Sequence, residues 1–252
     1  MALSSTARGT GSHNTSALTF TLSPGSNFSG GAGAMAVLLI SADNSDSSGA
    51  AHSTFTVTDT LGNTWTRRAS PLYDPGTASS GVEGAIFTSP MGGGALTTGT
   101  TITVTFDANA TAKAWALWEV NCASGFTVTY DGTGNGTGSA TNAPTVNVTT
   151  PLLASGDIIV AGLFNEYGTE QVVTADSDTT NGSWSSAQTV SVGSTATGQT
   201  ISSQTKVVNA TGTQTYNPTL GTSSDVILSW IILSEVADPA STLRGWDGSG
   251  WW

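Results

Sequence analysis

Residues 100–120 read TTITVTFDANATAKAWALWEV. The first part alternates: Ile102, Val104 and Phe106 point one way, and Thr101, Thr103 and Thr105 the other. That period of two is the mark of a half-buried strand. Asp107 and Asn109, set among small residues, predict a turn and hence a hairpin. The second part, residues 113–120, is apolar on both faces, as expected of a central strand covered from both sides. A similar unit returns at residues 225–236, DVILSWIILSEV. Laying Glu119 and Val120 on Glu235 and Val236 puts Trp115 on Ile231, Ala116 on Ile232 and Leu117 on Leu233.

Working outward, residues 17–22 (ALTFTL) alternate as a strand, and residues 34–41 (AMAVLLIS) are apolar on both faces. Residues 54–58 and 64–67 flank DTLGN, which predicts a second hairpin. Residues 70–81 read as a loop and 82–88 as a strand. After the glycine-rich run 130–140 (YDGTGNGTGSA) the order returns: 145–149 answers 17–22, and 157–164 (DIIVAGLF) answers 34–41. The fold expected is all-β: two tandem, closely packed β-sandwich halves, jelly-roll or immunoglobulin-like, from a degenerate internal duplication. The divisions expected are an N-terminal arm (1–16), a first half (17–124), a glycine-rich connection (125–143), a second half (144–237) and a tryptophan-rich tail (238–252).

Charged residues make up only 9 % of the 252-residue chain, and polarity is carried by Thr, Ser, Asn and Gly. The net charge of −11 repels phosphate, which argues against nucleic-acid partners and against anionic membrane surfaces. Neither a signal-peptide core nor an apolar run of membrane-spanning length is read in the sequence. The single cysteine, Cys122, reads as a small core residue at a strand end. The seven Asn-x-Ser/Thr sequons are what a chain so rich in Thr and Ser produces by chance.

Residues with chemical potential are few. His13 and His52 are the only histidines, and neither stands in a nucleophile or metal motif. Glu119 and Glu235 end equivalent strands, a pattern that paired-carboxylate glycoside hydrolysis would need, but duplication explains the recurrence more simply. Asn44, Asp46, Ser48 and Gly49 mimic the start of an EF-hand loop, but Phe55 falls where the closing acid belongs. Asp176 and Asp178 form a second short acidic loop. Both loops read as solvated turns, with weak surface calcium as the alternative; no cofactor is expected. Trp65, Tyr73 and Trp184 are candidate platforms for sugar rings. In the tail (ADPASTLRGWDGSGWW), Arg244, Trp246, Trp251 and Trp252 are the candidate partner-binding residues, because the segment is too short to bury three indoles itself.

The stretches TVTDTLGNTWTRR (56–68), TTITVTF and AWALWEV resemble Thr/Gly/Ser-rich β-sandwich structural proteins of tailed bacteriophages, the decoration, cement and tail components. That resemblance implies a non-enzymatic virion protein, most simply a capsid decoration or cement protein or another head or tail surface component. Its expected partners are major capsid or tail proteins and sister copies. A virion protein is made in the host cytoplasm, which fits the missing signal. The alternative is a carbohydrate-binding module or adhesin with a cell-surface glycan as partner, and the third class is a glycan hydrolase.

Overall fold

The computed structural model describes residues 3–31, 33–43, 52, 54–76, 80–148, 154–167, 171–193 and 198–238. The strands of the first half are β1 (Ser4–Leu22), β2 (Met35–Asp43), β3 (Phe55–Asp59), β4 (Thr66–Ala69), β5 (Leu72–Tyr73), β6 (Val82–Pro90) and β7 (Ile102–Asn121). In the second half they are β8 (Phe126–Asn135), β9 (Ser139–Thr141), β10 (Val146–Val148), β11 (Ile158–Glu166), β12 (Val173–Thr174) and β13 (Gln188–Val192). β14 (Gln199–Val207), β15 (Gln214–Tyr216), β16 (Thr219–Leu220) and β17 (Ser224–Ala237) complete it. No helix occurs among the described residues.

The chain is all-β. Of the four sheets among the described residues, the two large ones run β1-β7-β2-β6-β4 and β13-β14-β11-β17-β8, and the two small ones pair β10 with β15 and β12 with β16. Read from opposite ends, the two orders correspond: β7 and β17 stand second, and β2 and β11 are central. The sheets pack face to face with their orders opposed. β1 lies against β13, β7 against β14, β2 against β11, β6 against β17 and β4 against β8.

Three apolar layers result. The middle layer joins the sheets through Val37, Leu39, Ala116 and Trp118 on one side and Val160, Phe164, Ile201 and Ile231 on the other. Two close approaches key it. A Cβ on Gly84 would stand 2.7 Å from the Phe164 ring, and one on Gly162 would stand 2.7 Å from Leu39. The second layer lies on the outer face of the first sheet, where Phe20, Phe55, Val57, Ile102, Val104 and Phe106 cover Leu38, Ile40, Phe87 and Leu117. The third lies on the outer face of the second sheet, where Val146, Val148, Trp184, Tyr216 and Leu220 cover Ile159, Leu163, Leu228 and Ile232. Strands 34–41 and 157–164 are apolar on both faces because each separates two of these layers.

Several expectations are corrected. Residues 100–120 are not a hairpin: β7 runs unbroken through Asp107 and Asn109. β1 accompanies it for its whole length, with register shifts between Asn14, Ala17 and Thr19. The polar residues read as a turn mark the level at which both strands bend from the outer layer into the inner sheet. The Lys113 ammonium secures the bend by donating to Thr15 O (2.6 Å) and Ala110 O (2.7 Å). Of residues 1–16, expected as an N-terminal arm, residues 4–16 are the first part of β1. The DTLGN segment is not a hairpin either, since β3 pairs with β7 and β4 with β6. The glycine-rich run 130–140 is no connection: most of it is β8 and β9, paired with β17, and the halves meet instead at the short 122–125 link.

The expected overlay of β7 on β17 is one residue out. Trp115 and Leu117 face the outer layer of the first half, whereas Ile231 and Leu233 face the middle layer. A slip of one residue exchanges the two faces of a strand; Trp230, one residue before Ile231, faces the outer layer of its own half as Trp115 does of the first.

Candidate functional site

A cavity of about 510 Å³ lies where the two halves join. Ser29, Gly30, Gly33, Asn121, Cys122 and Phe126 contribute to its wall. Both glutamates singled out from sequence act on that wall. Glu119 is fully buried at the end of β7. Its Oε1 accepts the N–H of Ser29 (2.9 Å) and of Gly30, while its Oε2 accepts the Arg8 guanidinium. Glu235 on β17 accepts the N–H of Ala123 at 2.7 Å. Each carboxylate holds backbone that would otherwise lack a partner. The structure therefore brings the two glutamates to one cavity, but as clamps on two segments of its wall.

Cys122 closes the same wall. Its thiol donates to Gly33 O (3.4 Å) and Phe126 O (3.1 Å), and burial followed by the charge of Glu235 raises its pKa, which keeps it a thiol.

The histidines lie in separate surroundings. His52 is buried between Phe55 and Phe106, with Nδ1 2.8 Å from Glu83 Oε2, which also accepts the His52 N–H. His13 lies on β1 beside Phe20, and burial, reinforced by Lys113, lowers its pKa. Among the described residues no group of three or more His, Cys, Asp or Glu side chains is placed to hold a metal ion.

The Asp176–Asp178 loop is engaged by protein. Asp176 accepts the N–H groups of Asp178 and Asn217, and Asp178 accepts that of Thr180 and the ammonium of Lys206 at 3.1 Å. Hydrogen bonds from Thr180 are the main cause that lowers the Asp178 pKa to about 2. Asn44, Asp46, Ser48 and Gly49 lie outside the described residues, as do Arg244, Trp246, Trp251 and Trp252.

The three candidate sugar platforms are all engaged. Trp184 is 9 % exposed, packs on Tyr216 and lies 5.4 Å from the Lys206 ammonium. Trp65 packs against the outer layer of the first half and donates to Asp59 at 2.8 Å. Tyr73 packs against the middle layer.

Sequence reasoning missed a group of acids at one end of the middle layer. Glu166 and Asp225 are register partners on β11 and β17, and Asp43 ends β2 on the facing sheet. The available signal was an acid closing each of two largely apolar strands, MAVLLISAD and IIVAGLFNE.

The class defined by this fold is an all-β protein of antiparallel sheets packed face to face, with backbone-binding carboxylates at the junction of its two halves. No protein-family model, curated protein or solved structure matches the chain.

Proposed function

We propose that the protein is a non-enzymatic structural component of a bacteriophage virion, a capsid decoration or cement protein or another head or tail surface component. The observation that carries this reading is the use made of Glu119 and Glu235. The two acids best placed in sequence for hydrolysis hold the backbone of Ser29, Gly30 and Ala123, so their chemistry serves rigidity. A module of low charge with three apolar layers suits a surface component that persists outside the cell, and the bacteriophage resemblance of the sequence points the same way. Its partners on this reading are major capsid or tail proteins and sister copies, engaged through Arg244, Trp246, Trp251 and Trp252.

The experiment is cryo-electron microscopy of particles from cells that express the chain. Fixed copies at lattice or tail positions are expected. Particles without it, together with retention on a glycan column, would replace this reading with a carbohydrate-binding module. Release of sugar products that is lost in Glu119→Gln or Glu235→Gln would replace it with a hydrolase.

A further inference from the structure

The cavity at the junction of the halves shares its wall with Asp238, the last described residue. The Asp238 N–H is bonded to Gly125 O (2.8 Å) on the same wall. A volume of about 510 Å³ is that of a site for a compact organic group. The wall suits an aromatic guest. Gly30, Gly31, Gly33 and Ala34 present backbone and methyl surface, and Phe126 adds a ring. At Gly31 nothing lies within 4 Å of a Cβ, so the wall is open there.

The junction also has a sign. Asp238 lies in the wall and Glu235 is bonded to the N–H of Ala123, whereas the Arg8 guanidinium is matched by Glu119. Such a wall favours a guest with positive charge beside its apolar body. The sequence that follows Asp238 has this chemistry: Trp246, Trp251 and Trp252 supply indoles and Arg244 a cation. Trp246 comes eight residues after Asp238, a span of at most about 29 Å when fully extended. Pro239 favours extended backbone at the residue before it, which disfavours an immediate reversal into the cavity of the same chain. Donor segment and acceptor cavity thus meet at one place on the molecule. Two copies related by a two-fold axis at that place can each give a segment and receive one, which closes the arrangement as a dimer.

Building on the reading of sister copies as partners, we propose that the junction cavity is the receptor for residues 244–252 of a second copy, with an indole in the cavity and Arg244 toward the acids of the junction.

Cys122 reports on the cavity, because it is the single cysteine of the chain and stands in the wall. The test is the rate of Cys122 alkylation by iodoacetamide over a range of protein concentration, with sedimentation velocity on the same samples. In the natural protein the rate should fall by about tenfold or more as dimers form, because only the unpaired fraction reacts. The chain without residues 244–252 should stay monomeric and react at the fast rate at every concentration. The combined variant Trp246→Ala, Trp251→Ala and Trp252→Ala serves if the truncated chain does not fold. A natural chain that stays monomeric would overturn the proposal. Slow alkylation at every concentration would then put the segment in the cavity of its own chain, and fast alkylation would show that the segment does not use the cavity. A dimer that survives removal of the segment would also overturn it, as would one in which Cys122 reacts at the fast rate. The virion reading is tested apart from this: dimers that never join a particle sink that reading alone, and monomers that load onto particles sink the exchange alone.

Discussion

The indole of Trp115 lies directly against the backbone of Gly11, its register partner on β1: a Cβ on Gly11 would stand 2.6 Å from Trp115 Cζ2. Trp230 has the same relation to Gly134 on β8, where a Cβ would stand 2.5 Å from Cζ2. In each half a tryptophan of the second strand fills the space left by a glycine of the neighbouring edge strand. This covers glycine backbone that would otherwise be open, and it fixes the register of the pair.

Gly11→Ala and Gly134→Ala should therefore each destabilise the fold by about 1–3 kcal/mol through overpacking. Gly132→Ala is the control. Nothing lies within 4 Å of a Cβ there, so the change should be neutral or stabilising by up to about 1 kcal/mol. Urea denaturation midpoints at constant slope measure all three.

The same pairs show what was legible in the sequence. The strands apolar on both faces announced two central sheets, because no other placement hides Leu38 and Leu39 together. The likeness of β7 and β17 in composition was visible, but matching the Glu-Val endings ignores which face each tryptophan takes. The first part of β1 was invisible, because SSTARGTGSHNTS has no apolar period and its strand is made by pairing with β7. The bend at Asp107 resembled a turn because polar and small residues serve both, and only the partner strand tells them apart. The seam of acids was hidden because Asp43 and Glu166 are separated by nearly half the chain.

Glu119→Gln should cost about 3–5 kcal/mol, the usual penalty for breaking a buried ion pair by removing one partner. Arg8 would lose its counter-charge, and a glutamine amide would face either the guanidinium or the Ser29 and Gly30 N–H groups. Glu235→Gln has a smaller effect, since the amide oxygen can still accept from Ala123. Parallel urea titrations distinguish the two, and the 29–34 segment should show faster amide exchange only in the Glu119 variant.

Lys206 is fully buried and relies on Asp178, which is itself partly exposed. Asp178→Asn should cost between the ~1 kcal/mol of an exposed pair and the ~3–5 kcal/mol of a broken buried one. Lys206→Met removes the stranded charge, so the double variant should be more stable than Asp178→Asn alone, a coupling that a double-mutant cycle measures. The Asp178 carboxyl is held at about 2, below its ordinary 3.8. Its contribution is therefore present above pH 3.8 and lost as pH falls toward 2, and this part of the acid limb of thermal stability should be missing in Asp178→Asn.

The C-terminal segment provides the test closest to the proposed function. The described residues end at Asp238, whose N–H donates to Gly125 O (2.8 Å) beside the junction cavity. The three apolar layers, as far as they are described, are built from residues up to Leu233. An indole can bury on the order of 200 Å². At roughly 25 cal/mol per Å² that is about 5 kcal/mol for each of Trp246, Trp251 and Trp252, an upper limit before the entropy of ordering is subtracted. A third of it would still anchor the protein to a partner surface. Deleting residues 244–252 should leave the melting temperature almost unchanged while occupancy on the particle drops sharply. Full occupancy without the segment, or a monomer that no longer folds, would show instead that these indoles complete the fold of their own chain.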